Sequence, residues 1–174
     1  MIVPIFGSPG CGKTTLGNAM MKKFGYPFFE LSWIPEFRTM NGRAISYEEE
    51  EKIAVCALLN VAKTYCQQGH EVVLVSDFRL NSFTRVLNSI GLASPVIKLI
   101  ASDENILRSR VLDSSRPSAY RNADEALRIN KKIISQTFEN ELCIDVTECS
   151  LADEIFTILK FISSQQLNID NRLP

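Results

Sequence analysis

Eight consecutive positions near the amino terminus constrain this chain more than any other stretch. Gly7-Ser8-Pro9-Gly10-Cys11-Gly12-Lys13-Thr14 satisfies the pattern G-x-x-x-x-G-K-[ST] at every fixed place. The glycines let the backbone turn successive N–H groups inward, which makes a concave anion site. With glycine at about 7% of residues, a chance match arises on the order of once in a hundred such chains. The context the motif demands is also present. Ile2 to Phe6 is a short apolar run, as a buried strand should be, and a helical pattern runs from about Lys13 to Phe24 and stops at Gly25. The free N–H groups of that helix and its positive dipole end then face the same anion. Lys13 would reach the outer phosphates of a triphosphate, and the Thr14 hydroxyl would hold Mg²⁺. Ser8, Pro9, Gly10, Cys11, Gly12, Lys13, Thr14 and Thr15 are therefore the expected binding segment for ATP or a relative.

Strand-like and helix-like segments alternate along the rest of the chain. Tyr26 to Leu31 is apolar and aromatic, whereas Ser32 to Ala44 is irregular and punctuated by Pro35 and Gly42. Ser46 and Glu49 form an S-x-x-E capping box that opens a long helix ending at Gly69. The acids at 48–51 complement its dipole and are expected to be solvated. Val72-Val73-Leu74-Val75 is a continuous apolar run, typical of a strand covered on both faces. A helix follows to about Ile90, then a strand at Val96 to Ala101, then a helix from Ser102-Asp103 carrying Arg108 and Arg110. Ser114 to Asn122 is polar and reads as a loop. Asn122 and Glu125 open another helix, Glu141 to Val146 is a fifth strand, and Ser150 with Asp153 caps the last helix. Five apolar runs separated by helices imply one α/β domain with a parallel sheet covered on both faces. We place it at residues 1–165, with a C-terminal tail at 166–174.

A phosphate loop of this kind works with an acid at the end of another buried strand. Asp77, directly after Val72 to Ser76, has that form and is the expected magnesium contact with Thr14. It could alternatively be the base toward an acceptor hydroxyl, or cap the next helix. Arg108, Arg110, Arg116 and Arg121 straddle the polar stretch, so a lid at about 114–122 could bring positive charge over the nucleotide and exclude water. Lys13, Asp77, Arg116 and Arg121 are the expected catalytic residues, and Arg110 is an expected ATP contact. The region at about 32–45 offers aromatics, an acid and bases suited to a polar acceptor. Glu36, Arg38, Arg43 and Arg79 are the expected acceptor contacts, while Trp33 and Phe37 either line that site or pack in the core. Asp77, Glu36 and Glu30 all stay open as the base.

Bulk properties close off several classes. Nineteen basic residues are written against twenty acidic ones (19 and 20), so a net charge of −1 gives no global attraction to nucleic acid or anionic membranes. No apolar run approaches the roughly 20 residues that span a bilayer. The opening MIVPIF lacks the basic leader of a signal peptide. Five cysteines show neither C-x-x-C pairs nor zinc spacing beside a single histidine. Cys56, Cys66, Cys143 and Cys149 are expected to be small core residues and Cys11 a spacer, in a reduced, cytoplasmic setting. The expected state is monomer or homodimer.

The order of these parts resembles the small P-loop kinases of the nucleoside- and nucleotide-kinase-like group. That group includes adenylate, shikimate and gluconate kinases, chloramphenicol phosphotransferase and the kinase domain of polynucleotide kinases. The resemblance covers about residues 1–163 and is most specific at the phosphate loop. It implies a three-layer P-loop NTPase fold, with a five-stranded parallel sheet in the order 2-3-1-4-5. It also implies an acceptor site after strand 2, a short arginine-bearing lid after strand 4, and adenine near Thr147 to Leu151. Lys13, Thr14, Asp77, Arg116 and Arg121 fall where the group's functional residues fall. No single member is matched. Asp77-Phe78-Arg79 lacks the glycine and proline of the adenylate kinase D-G-x-P-R segment, and Glu30-Leu31-Ser32 replaces the D-x-D of shikimate kinases.

The function expected from these features is ATP- and Mg²⁺-dependent phosphoryl transfer to a small-molecule, nucleoside or nucleotide acceptor. A nucleotide-dependent switch or hydrolase is the first alternative. For a GTPase the nearest guanine motif, Asn130-Lys131-Lys132-Ile133, has isoleucine where N-K-x-D needs aspartate. A 5′-end polynucleotide kinase is the second, and Lys22, Lys23, Arg38 and Arg43 supply little of the basic groove it would want.

Overall fold

The apolar runs of the sequence become the strands of one parallel sheet, and the periodic segments between them become the helices that cover it. The structure, a computed structural model, describes residues 1–34, 39–40, 42–76, 80–91 and 94–170. In chain order the elements are β1 (Ile2–Gly7), α1 (Lys13–Phe24), β2 (Phe28–Glu30), a 3₁₀ turn (Leu31–Trp33), β3 (Thr39–Met40), β4 (Arg43–Ala44) and α2 (Tyr47–Gln67). Then follow β5 (Val73–Ser76), α3 (Leu80–Ile90), β6 (Val96–Ile100), α4 (Glu104–Leu112), α5 (Ala123–Ile134), β7 (Glu141–Asp145) and α6 (Leu151–Asp170). The main sheet runs β2-β5-β1-β6-β7 with every neighbouring pair parallel. Counting its five strands along the chain, this is the order 2-3-1-4-5. Pro4 lies in the central strand, yet the ladder with β6 begins only at Ile5, so the missing N–H of proline breaks no rung there.

Two apolar clusters sandwich the sheet because alternate strand residues point to opposite faces. Val3, Ile5, Leu74, Ile97 and Leu99 pack with Leu16 and Met20 of α1, Leu107 of α4 and Ile158 of α6. Phe6, Val73, Val75 and Val96 pack with Leu58 and Leu59 of α2 and Val86 of α3. Helix ends follow the capping residues. Ser46 accepts from the Glu49 N–H, Asp103 from Asn105 and Ile106, Asn122 from Glu125 and Ser150 from Asp153, each such cap being worth about 1 kcal/mol. Among the described residues no helix is long and apolar enough to cross a membrane.

Several expectations need correction. The segment read as irregular contains the 3₁₀ turn and an antiparallel hairpin pairing Thr39 with Ala44 and Met40 with Arg43. The acids opening α2 are not all solvated. Glu48 meets Lys52 and Arg85, and Glu49 meets Arg43, but Glu50 and Glu51 are 5% and 7% exposed. Glu51 precedes Val55 by one helical turn and so begins the buried stripe, where it accepts from the Tyr47 hydroxyl. The cysteines also differ from expectation. Cys56, Cys143 and Cys149 are exposed, Cys66 is half-buried, and Cys11 alone of the five is buried. Cys56 lies off the stripe of Val55, Leu58, Leu59 and Ala62, while Cys143 faces away from the side on which its neighbour Ile144 is buried. Helix α6 continues to Asp170, past the expected boundary at 165, since neither glycine nor proline interrupts it there.

Candidate active site

The turn from β1 into α1 has the shape its sequence predicts. Gly10 and Gly12 adopt φ of 95° and 84°, the left-handed region open to glycine without strain. Gly10 is also fixed by contact: a Cβ there would lie 2.8 Å from Val111 Cγ2 and 2.9 Å from Leu107 Cδ1 of α4. Helix α1 differs from α2, α4 and α5 in one decisive respect. Its N-cap is Gly12, with no side-chain cap hydrogen bond, whereas Ser46, Asp103 and Asn122 cap those three. The first N–H groups of α1 are therefore left for a ligand, at the positive end of the helix dipole.

Lys13 reaches back over this turn. Its Nζ donates to the Gly7 carbonyl at 2.8 Å and to the Ser8 carbonyl at 3.2 Å, and the residue is only 8% exposed. An ammonium has three donors, so one is still available to a polyanion held in the loop. Ser8 and Cys11 are buried behind the turn, Pro9 and Gly10 are half-buried, and Gly12, Thr14 and Thr15 lie exposed.

Thr14 Oγ1 donates to Glu30 Oε1 at 2.5 Å, and Ser32 Oγ donates to Glu30 Oε2 at 3.4 Å. The carboxylate is buried at the end of β2, where the register sets Glu30 beside Ser76 of β5. The Ser76 hydroxyl is buried and has no hydrogen-bond partner among the described residues. Oxygen groups thus gather where the phosphate loop meets the carboxyl edge of the sheet. Among the described residues no cluster of three or more His, Cys, Asp or Glu could hold a metal by itself.

Three of the arginines after β6, Arg110, Arg116 and Arg121, are folded onto backbone. Arg116 donates to the Val111 carbonyl at 3.2 Å, and Arg121 donates to the carbonyls of Ser118, Tyr120 and Arg116. Arg110 donates to the Val146 carbonyl at 2.9 Å, next to the β7–α6 loop. Asp145 holds that loop by accepting from Ser102 N, Thr147 N and Thr147 Oγ1. Partial burial pushes the Asp145 carboxyl up, but these hydrogen bonds outweigh it and hold the group below its ordinary range. Glu154, buried in the first turn of α6, shows the reverse: burial raises its carboxyl, and the Arg110 charge offsets only part of that. Arg108 pairs with Asp124 instead of facing the loop.

In the segment after β2, Arg43 is exposed on β4 and paired with Glu49. Trp33 is 52% exposed and stands edge-on to Phe28 and Phe29, so it is a surface aromatic and not a core residue. Glu36, Phe37, Arg38, Asp77 and Arg79 lie outside the described residues. The pairing of Thr14 with Glu30 was not legible beforehand, because it joins two elements through a side chain considered only as a base.

No curated protein sequence matches the chain. A family model described as ATPase family associated with various cellular activities (AAA) matches residues 3–78. Among solved structures, a gluconokinase from Sinorhizobium meliloti 1021 matches with a TM-score of 0.68 at 17% identity, covering 99% of this chain and 97% of its own. The fold is a P-loop NTPase fold. A shikimate kinase from Aquifex aeolicus vf5 shares it with a TM-score of 0.61 at 19% identity, covering 96% of this chain and 99% of its own. A deoxyadenosine kinase from M. mycoides, with products dCMP and dCDP bound, does so with a TM-score of 0.52 at 19% identity, covering 94% and 99%. The likeness in this P-loop NTPase fold therefore extends through the whole sheet and is not confined to the loop. It reaches α4 and α5 as well.

Proposed function

We propose that the protein is an ATP- and Mg²⁺-dependent phosphotransferase that moves the γ-phosphoryl group to a small-molecule, nucleoside or nucleotide acceptor. The observation that carries this reading is the uncapped start of α1 with the Lys13 ammonium anchored over the turn by Gly7 and Ser8. Phosphoryl transfer asks a protein mainly for positioning and positive charge, and this corner supplies both. The loop N–H groups bind the phosphates, and Lys13 places its remaining donor toward their outer oxygens.

The residues present fit magnesium, a hard cation that takes oxygen ligands and keeps several of its waters. Thr14 would be its protein ligand, since the hydroxyl gives its hydrogen to Glu30 and leaves its lone pairs outward. Asp77, which follows β5 in the sequence, would be a second ligand, and the buried Ser76 hydroxyl could serve a water of hydration. When bound, the cation would neutralise charge on the phosphate oxygens. In this reading Arg116 and Arg121 exchange their carbonyl partners for the transferring group as the lid closes. Arg110 and the loop after β7 border the nucleobase. Arg43, Glu36, Arg38 and Arg79 would serve the acceptor. Asp77 or Glu36 prepares its hydroxyl, because Glu30 is already engaged by Thr14.

An ADP-release screen against nucleosides, nucleotides, sugars and aminoglycoside-like compounds tests the proposal, with Lys13→Ala as the blank. At least one class should raise turnover above that blank. Wild-type protein that binds ATP but is stimulated by no acceptor would overturn the kinase reading.

A further inference from the structure

Helix α5 buries Ala123, Ala126, Leu127 and Ile133, and among them one amide, Asn130. A polar side chain in such a row is retained only with good partners. Asn130 Nδ2 donates to the Ala101 carbonyl at 2.7 Å, and its Oδ1 accepts from the Ala101 N–H at 3.1 Å. This clamps α5 to the residue just past β6, at the sheet edge where the phosphate loop lies. The same Oδ1 accepts from Cys11 Sγ at 3.9 Å.

A thiol has a single hydrogen. With it directed to Asn130, the 3.1 Å contact between Ser8 Oγ and Cys11 Sγ must have Ser8 as donor. Burial raises the Cys11 thiol above its ordinary value, so it keeps that hydrogen. The Ser8 carbonyl accepts in turn from Lys13 Nζ. Asn130, Cys11, Ser8 and Lys13 are 2%, 1%, 0% and 8% exposed, so a buried polar chain joins α5 to the loop ammonium.

Position in the fold gives this chain a use. The lid connects α4 to α5, and both helices bear on the phosphate loop: α4 through the close packing of Leu107 and Val111 on Gly10, α5 through Asn130. Asn130 lies about 12 Å of rigid helix beyond the Asn122 cap, so a tilt of α5 at the lid is felt beneath the loop.

We infer that Asn130 is a positioning residue, which holds the Ser8–Cys11 side of the phosphate loop in the geometry Lys13 requires and links that geometry to the lid. The inference rests on the nucleotide-binding part of the proposed function. Calorimetry with Mg-ATP and with inorganic triphosphate, beside thermal melting, tests it. Cys11→Ala removes the link but leaves the Ala101 clamp, so both ligands should bind about tenfold more weakly with nearly unchanged melting. Cys11→Ser should recover most of the loss. Asn130→Leu should weaken both ligands, and adding Cys11→Ala to it should cost nothing further, because linked residues are not additive. ATP should also shield residues 113–122 from protease in the wild type and not in Asn130→Leu. Should Asn130→Leu fail to fold, the Cys11 pair alone decides. Unchanged affinity in Cys11→Ala while the wild type binds both ligands overturns this inference alone. A wild type that binds neither overturns the nucleotide reading, and the inference falls with it.

Discussion

Thr14 Oγ1 and Glu30 Oε1 lie 2.5 Å apart, which ties the first turn of α1 to the end of β2 through one part-buried hydrogen bond. The hydroxyl is thereby oriented before any cation arrives. Partners of this kind typically change metal affinity or activity by about 10- to 100-fold. Glu30→Ala should raise the Mg²⁺ concentration for half-maximal turnover by that order, and Glu30→Gln, which keeps an acceptor, by less. A magnesium titration that does not move in Glu30→Ala would remove Glu30 from the site.

Gly17 faces Phe28 within the core. A Cβ at position 17 would stand 2.4 Å from two ring atoms of Phe28, far inside contact distance. Alanine would gain about 1 kcal/mol of helix propensity in α1, but overpacking costs about 1–3 kcal/mol, and a rigid ring cannot yield cheaply. Gly17→Ala should therefore destabilise on balance. Urea unfolding reads this directly, and a midpoint at or above the wild-type value would contradict it.

Glu154 gives a pH prediction with a definite sign. Its folded-state pKa lies above the ordinary 4.5, so its contribution favours folding below that pH and is lost as pH rises through the raised value. At neutral pH the charged, buried form is a liability. Glu154→Gln should melt higher than wild type at pH 7, and the gain should shrink toward pH 4. Equal gains at both pH values would mean that charge is not the cause.

Arg121 closes the loop between α4 and α5 upon itself through the carbonyls of Ser118, Tyr120 and Arg116. Replacing it by alanine frees those groups and removes the charge that the proposed function assigns to the phosphoryl group. Protease cleavage within 113–122 should quicken, and turnover should fall by about 10²-fold. Faster cleavage with full turnover would leave Arg121 a structural role only.

Much of this arrangement was legible in the residues because it is local. The caps at Ser46, Asp103, Asn122 and Ser150 act within three residues of themselves, and the strands announce themselves as apolar runs. The hairpin of β3 and β4 was missed although Asn41-Gly42, a strong turn dipeptide, stands between its strands. Burial of Glu50 and Glu51 was hidden because charge composition does not reveal which face of a helix turns inward. Asn130 and Cys11 are 119 residues apart, and only the folded sheet brings them together.

The two carbonyls that receive the Lys13 ammonium have a bearing on how the turn keeps its shape. A buried cation without acceptors of its own would press such a turn open. Here the backbone itself meets the charge, so in the proposed function a polyanion would find the turn already shaped, and its binding would run at the pace of diffusion and desolvation instead of awaiting a loop rearrangement.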